Sequence, residues 1–518
     1  MPRKAPFLEA DLEQLKGMGI APDQAFKQLL VFEKGPHYLN IVGPCTIGNG
    51  ILELEKFTAE QFGQIFEKAA QQLDIVKFIP ASGAASRMFK ALMELQDKAD
   101  DPAFLGQLVE KGDSSALNLK NFFDNIKKLP FWPALEKTAA KQGLDANGLL
   151  EKKSFGVLAG LILDEKGLNF GNMPKGLIPF HIYSGAPRTA VEEHLIEATM
   201  YAKSSGNRCR LHFTVDRQKS AAFEMHAKEA ANALERKFSV RFSLDFSIQN
   251  PSTNTLSVSP EKNIFRLEDG SLFLRPGGHG ALLENLSSIN ADLVFINNID
   301  NVVCDRDKEE RAFWKKALAG FLLGVQKNIF NFIEKLDTIN PKISELEKAS
   351  DFAEKTLNLD IKNLFGNDLR LFLLEKFNRP LRVCGMVKNQ GDPGGAPFWV
   401  KGPDNRISAQ IVEGAQINHL SVKQKNLFAS STHFNPVDIV CAFKNRFGKP
   451  FDLKKFVDEQ AVFISKKSKN GQEILALELP GLWNGSMAFW NSIYIEVPMV
   501  AYNPVKQITD LLKPSHRV

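Results

Sequence analysis

At 518 residues the chain is long enough for two or three domains with a substantial core. With 44% hydrophobic and 24% charged residues it reads as soluble and globular, and its net charge of +5 is too diffuse for a nucleic-acid binder, although it suits a phosphate-rich small ligand. The five cysteines, Cys45, Cys209, Cys304, Cys384 and Cys441, are scattered and include no CxxC pair, which argues against zinc and a disulfide framework and for a reduced, cytoplasmic setting.

The start runs straight into polar helical sequence, and no apolar stretch is long enough to span a bilayer, so no membrane partner is expected. Asp11 to Met18 and Pro22 to Phe32 read as short amphipathic helices, Pro44 to Gly50 as a turn-rich break, and Thr58 to Leu73 as a further helix with a Thr58/Gln61 capping box. From Asp74 strands alternate with helices. An apolar strand at 74–79 is followed by a loop, a helix and a helical insertion from Pro102 to about Lys153. Phe155 to Leu163 is a strand or a buried helix. Ala190 to Ala202 and Ser220 to Lys237 read as helices, and Arg210 to Val215, Phe242 to Ile248 and Ala291 to Ile296 as strands. Arg311 to about Lys376 is helical, and strands return at Leu381 to Val387 and Ala409 to Val412. The expected fold is α/β, a mostly parallel twisted sheet flanked by helices. The expected division is a helical appendage at 1–73, an α/β core at 74–310 with its insertion near 102–153, a helical segment at 311–376 and a second α/β part at 377–518.

Several clusters carry chemistry. Pro80-Ala81-Ser82-Gly83-Ala84-Ala85-Ser86-Arg87-Met88 is a small-residue turn between strand and helix. Small side chains let backbone N–H groups approach an anion, and a guanidinium in the first helical turn can fork onto phosphate oxygens. Most such turns are only turns. Pro174-Lys175-Gly176-Leu177-Ile178-Pro179 holds a lysine between prolines, either a surface turn residue or a cation fixed toward a phosphate. Gln249 follows a strand, where it caps a loop or reads a base edge. Gly277, Gly278 and Gly280 surround His279, an arrangement suited to close backbone approach, with the histidine hydrogen bonding or positioning. Asp300 lies just past the apolar strand Leu293-Val294-Phe295-Ile296, at the sheet edge where ligands collect. Asp305 and Asp307 read as the start of the next helix. Lys388 ends a strand before Gly394 and Gly395, and Glu413 and Asp438 are further carboxylates, the latter equally a helix-start residue.

Taken in order, these clusters resemble the sugar nucleotidyltransferases, and the whole chain resembles an uncharacterised bacterial family beside the UDP-sugar pyrophosphorylases. The loop matches their signature through Ala81, Gly83, Ser86, Arg87 and Met88, while Ser82 and Ala85 stand where that family has glycine. Lys175 matches the lysine of their Pro-Lys-x-Leu-[IVL]-Pro segment, and Asp300 their metal-binding aspartate. The resemblance covers about 75–303 well and 380–440 loosely. It implies the nucleotide-diphospho-sugar transferase fold and Mg²⁺-dependent joining of an NTP and a sugar 1-phosphate, with release of pyrophosphate. It further implies that Ala81, Ser82, Gly83, Ala84 and Ser86 hold phosphates together with Arg87. Lys175 neutralises the α-phosphate, and Gln249 with Gly277, Gly278, His279 and Gly280 holds the base. Lys388, Gly394, Gly395 and Glu413 face the sugar phosphate, and Gly414 and Ala415 replace the aromatic and serine of the N-acetylhexosamine members. Two rivals remain: a glycosyltransferase of the related fold using Asp305 and Asp307 around Mn²⁺, and a non-catalytic nucleotide-sugar binder.

Overall fold

A computed structural model of the chain describes residues 6–83, 85–96, 101–184, 186–391 and 394–517. The chain divides into two compact units. The first takes residues up to Asp74, Gln249–Ile296 and Trp314–Pro498; the second takes Ile75–Ile248, Asn297–Phe313 and the residues from Met499 onward. Both are mixed α/β.

In the second unit the Arg208–Val215 strand lies parallel to Ile75–Pro80 on one side and to Arg241–Ile248 on the other. The register sets Pro80 opposite Thr214 and Val215 opposite Ile248, so the three carboxyl ends share one edge. The short Lys203–Ser204 strand pairs antiparallel at the opposite end. Two helices accompany these strands, Ala190–Tyr201 and Ser220–Phe238. The first is started by a capping box in which Thr189 and Glu192 satisfy each other's backbone N–H groups. Phe213 bridges the layers, packing on Phe223 of a helix and Phe246 of the neighbouring strand. Lys77 interrupts the apolar Ile75–Pro80 strand; it is fully buried and its Nζ donates to Glu197 at 3.0 Å. Burial pushes the Glu197 carboxyl up, but Arg311 and Lys77 outweigh it and hold it well below the usual carboxylate range.

Among the described residues the helical insertion holds four α-helices, Pro102–Glu110, Ser114–Asn125, Trp132–Lys141 and Ala146–Glu151, and a further one, Phe155–Leu163, comes last, just after it. The Asp113 carboxylate starts the second by accepting the Ala116 N–H at 2.9 Å. The last resolves the ambiguity at Phe155 to Leu163 in favour of a helix. Its buried residues, Leu158, Ala159, Leu161, Ile162 and Leu163, wrap around the axis instead of alternating.

In the first unit the Leu381–Lys388 strand pairs antiparallel with His433–Ala442 and parallel with Asn491–Glu496. Leu293–Ile296 adds antiparallel to His433–Ala442, and Gly50–Leu52 adds parallel to Asn491–Glu496. This sheet is therefore mixed, which corrects the mostly parallel expectation: long excursions of the chain return strands in either direction, and periodicity carries no direction. A three-stranded antiparallel sheet joins Asn40–Pro44, Ala396–Lys401 and Ile407–Val412. A four-stranded one runs Leu274–Pro276, Asn254–Val258, Gln472–Glu478 and Phe463–Lys469.

The N-terminal helices Glu9–Gly17 and Pro22–Lys34 lie on the four-stranded sheet, burying Leu15, Ala25 and Phe32 against Leu256, Val258 and Leu477. The helix after them is Lys56–Ala70, which starts before Thr58, so the Thr58/Gln61 pair lies inside it and caps nothing. Helices Ile343–Lys355 and Gly366–Phe377 account for much of the expected helical segment. Among the described residues no helix is long and apolar enough to cross a membrane.

Candidate functional site

The clusters singled out in the sequence fall into two groups, one in each unit. In the second unit the Ile75–Pro80 strand delivers the small-residue loop at the carboxyl edge, where the Ala81 N–H donates to Thr214 O at 2.9 Å. Ala81 is buried, whereas Ser82, Gly83, Ser86 and Arg87 are exposed, and a Cβ added to Gly83 would meet nothing. Ala84 lies outside the described residues. The loop does not feed an α-helix directly. Ala85–Arg87 is a 3₁₀ turn, and the α-helix that follows, Lys90–Leu95, is a short one. Arg87 therefore sits in a turn and not in a first helical turn, so no helix dipole stands behind the loop, which presents only its exposed backbone at Gly83 and the Arg87 side chain. The Arg87 guanidinium has no hydrogen bond or ion pair among the described residues.

Lys175 is not a surface turn residue. It opens the 3₁₀ turn Lys175–Leu177 and is 8% exposed. Its N–H donates to Gly83 O at 3.3 Å, tying the two motifs together, and its Nζ donates to Asp300 Oδ2 at 2.7 Å. Gly176 is glycine for packing, since a Cβ there would lie 2.8 Å from the Phe223 ring. Asp300 has a second partner absent from the sequence reading: Lys506 Nζ, 3.0 Å from Oδ2 and 3.3 Å from Oδ1. The segment bearing Lys506 is pinned to the Asp300 turn, because Val505 N–H donates to Asp300 O at 3.0 Å and Asn503 N–H to Asn301 Oδ1 at 2.9 Å. No sequence pattern marks Lys506; it is one lysine after Asn503-Pro504-Val505.

Burial raises the Asp300 carboxyl, but the two ammonium groups, Lys506 foremost, outweigh it and hold it below its ordinary value. Burial lowers the Lys175 ammonium, and Asp300 returns part of the shift. As a magnesium site this donor set is minimal. No cluster of three His, Cys, Asp or Glu side chains that could hold a metal occurs among the described residues. One carboxylate between two lysines fits a hard cation only when phosphate oxygens complete the shell and draw the ammonium groups to themselves.

The remaining carboxylates are engaged elsewhere. Asp305 opens the helix Asp305–Leu336 and pairs with Arg188 at 2.7 Å and Lys308 at 3.0 Å, and Asp307 faces its neighbours Arg306 and Cys304. This bears out the helix-start reading of the pair. A buried cluster, missed in the sequence, lies beside them: Glu193 takes His181 Nδ1 at 2.7 Å, Tyr183 at 3.0 Å and Lys308 at 2.6 Å, and His181 Nε2 meets His516 Nδ1 at 2.9 Å.

In the first unit, Gln249 Nε2 donates to Thr253 Oγ1 at 3.2 Å, which is the loop-capping role; Oε1 has no partner among the described residues. The glycine loop follows the Leu274–Pro276 strand. Gly278 has φ +77, a conformation that favours glycine, and a Cβ on Gly280 would fall 2.1 Å from Pro480 O. These glycines are thus needed for the loop to lie on the 478–483 backbone. His279 is held there: its Nδ1 accepts Leu482 N–H at 3.0 Å, and its ring stacks on Trp483 at 4.3 Å. That leaves the proton on Nε2, which lies 3.7 Å from Glu413 Oε1. Burial lowers the His279 pKa against the opposing pull of Glu413 and Glu478.

Gly395 O accepts the Asn435 N–H at 2.8 Å, and a Cβ on Gly394 would fall 2.3 Å from the Phe434 ring. Lys388 ends its strand opposite His433 with its side chain 73% exposed and Nζ 3.8 Å from Glu496. Asp438 is buried in an ion pair with Lys315, within a strand and not at a helix start.

No curated protein matches the chain. Among solved structures it is similar to the uridine diphosphate N-acetylglucosamine pyrophosphorylase of Trypanosoma brucei, with 12% identity and a TM-score of 0.49 over 98% of this chain and 80% of that one. It is also similar to the UDP-glucose pyrophosphorylase of Leishmania major, with 12% identity and a TM-score of 0.43 over 98% and 79%. The UDP-glucose phosphorylase of Trypanosoma brucei gives 13% and 0.44 over 97% and 77%. The family described as Domain of unknown function (DUF4301) matches residues 8–517, and the chain belongs to that family.

Proposed function

We propose that the protein is a sugar-phosphate nucleotidyltransferase. In this reading a sugar 1-phosphate oxygen attacks the α-phosphorus of an NTP, the α–β bridging bond breaks, and pyrophosphate leaves with the electron pair. A phosphate monoester is already anionic, so no general base is required, and positioning with charge neutralisation supplies the rate. The observation that carries the reading is the buried Lys175. Its backbone is bonded to the loop at Gly83 and its ammonium is fixed on Asp300, while Arg87 stands exposed in the same loop with no partner among the described residues.

The loop from Ala81 to Ser86 and Arg87 hold the terminal phosphates, and Lys175 takes up charge growing at the α-phosphate. Gln249 and the Gly277–Gly280 loop serve the base, and Lys388, Gly394, Gly395 and Glu413 serve the sugar phosphate. When bound, Mg²⁺ at Asp300 supplies further neutralisation of phosphate charge. All five cysteines are buried free thiols, in keeping with the cytoplasmic setting we propose. Pyrophosphate release from each NTP with a panel of sugar 1-phosphates, in Mg²⁺ and in EDTA, tests the reading. Metal-dependent release from at least one pair is expected; none from any pair contradicts it.

A further inference from the structure

In the first unit Asn484 is 3% exposed, yet neither its Oδ1 nor its Nδ2 has a hydrogen-bond partner among the described residues. A carboxamide stripped of water at both ends is costly unless something pairs with it. Its backbone does not let it swing away: the Asn484 N–H donates to Gly481 O, and its carbonyl accepts the Met487 N–H, each at 3.0 Å. Two glycines keep side chains off it. A Cβ on Gly395 would lie 3.5 Å from Asn484 Oδ1 and 3.6 Å from Glu413 Cγ. One on Gly481 would lie 3.1 Å from Asn484 Nδ2 and 2.5 Å from the His279 ring. The carboxamide, the Glu413 carboxylate and the His279 edge therefore share one small space. The latter two are 3.7 Å apart, beyond hydrogen-bond distance, and each is about a quarter exposed.

We propose that Asn484 reads the hydroxyls of the sugar. Its Oδ1 accepts from one ring hydroxyl and its Nδ2 donates to the next, while Glu413 and His279 border the same ring, which enters on their exposed side. A neighbouring donor and acceptor on one planar group match a vicinal diol. The carboxylate beside them also accepts from hydroxyls. This rests on the nucleotidyltransferase reading and names, within it, the residue that selects the sugar.

The test uses Asn484→Asp, which keeps the shape, together with Asn484→Ala and Asn484→Ser. Folding is checked by circular dichroism, and steady-state kinetics are run on the best NTP and sugar 1-phosphate pair. The KM for the sugar phosphate should rise about tenfold, the worth of a good hydrogen bond, while the KM for the NTP stays within about twofold. A deoxy-sugar phosphate lacking the hydroxyl that is read should be about equally poor with wild type and variant. An unchanged sugar-phosphate KM in any folded variant overturns the proposal alone. So does a loss confined to the NTP with an altered ranking of bases, which would make Asn484 a base reader. A wild type that makes no pyrophosphate from any pair overturns the underlying reading, and this proposal with it.

Discussion

Replacing Lys175 by Met separates its role in holding the fold from its role in the chemistry. Lys175 Nζ is 2.7 Å and Lys506 Nζ 3.0 Å from the same carboxylate oxygen of Asp300. At an effective dielectric of about 20 those separations correspond to attractions of about 6 and about 5.5 kcal/mol before desolvation. The Lys506 share is smaller in practice, because that side chain is 49% exposed and screened by water. Met restores most of the lost volume, and Asp300 keeps one partner. The loss of stability should therefore be about 1–3 kcal/mol, not the roughly 3–5 of a buried charge left alone.

The rate should suffer more. A charge-stabilising donor that acts mainly in the transition state is worth about 10²–10³ in kcat. Lys175→Met should lower kcat and kcat/KM together with little change in KM for the NTP, and Lys175→Arg should not rescue it, because a planar fork does not replace a compact point charge. Urea unfolding gives the first quantity and pyrophosphate-release kinetics the second. A variant that stays folded and loses only NTP affinity, or loses nothing, refutes the assignment of Lys175 to the reacting phosphate.

The Lys175→Met/Lys506→Met double variant should be destabilised by more than the sum of the single ones, since only then is the Asp300 charge buried without a partner; additive urea midpoints would deny the three-residue cluster. Arg87→Ala should leave stability within about 0.5 kcal/mol, because the side chain is exposed and has no partner among the described residues, while abolishing turnover; normal turnover removes its phosphate role. His516 is held down to about 3 by burial and by His181. The unfolded chain therefore binds a proton below about pH 6.5 that the folded chain refuses, and stability is full above that pH and falls as pH drops toward 3. The contribution is about 1.4 kcal/mol per pH unit. His194, lowered by burial and Lys77, acts in the same sense, so His516→Gln should reduce the slope of urea stability between pH 5 and 6 without abolishing it.

The parts of this molecule that follow from local pattern were legible before the structure. The strand, small-residue turn and Pro-flanked lysine announced themselves through burial period and backbone chemistry, and the structure bonds Lys175 to Gly83 directly. Short strands such as Asn40–Pro44 and Gly50–Leu52 were not, because elements of five and three residues carry too few alternations to register as a period. Lys506 and Asn484 were invisible for a different reason. Lys506 owes its place to Asp300, and the groups that surround the Asn484 carboxamide, at Gly395, Glu413 and His279, come from distant parts of the chain, so neither residue stands in a local pattern. The glycines around His279 showed the converse. Their spacing was conspicuous, yet the close approach that the structure gives Gly277 and Gly280 is to the protein's own backbone at Thr253 and Pro480.

The central claim is that Lys175, Arg87 and the Gly83 loop serve transfer of a nucleotidyl group to a sugar phosphate. Mass-spectrometric detection of a nucleotide sugar, formed one for one with pyrophosphate from an NTP and a sugar 1-phosphate, measures it most directly. The account predicts equal amounts of the two products with wild type and about 10²–10³ less of both, in the same time, with Lys175→Met. Pyrophosphate without nucleotide sugar, or equal product from the variant, would contradict it.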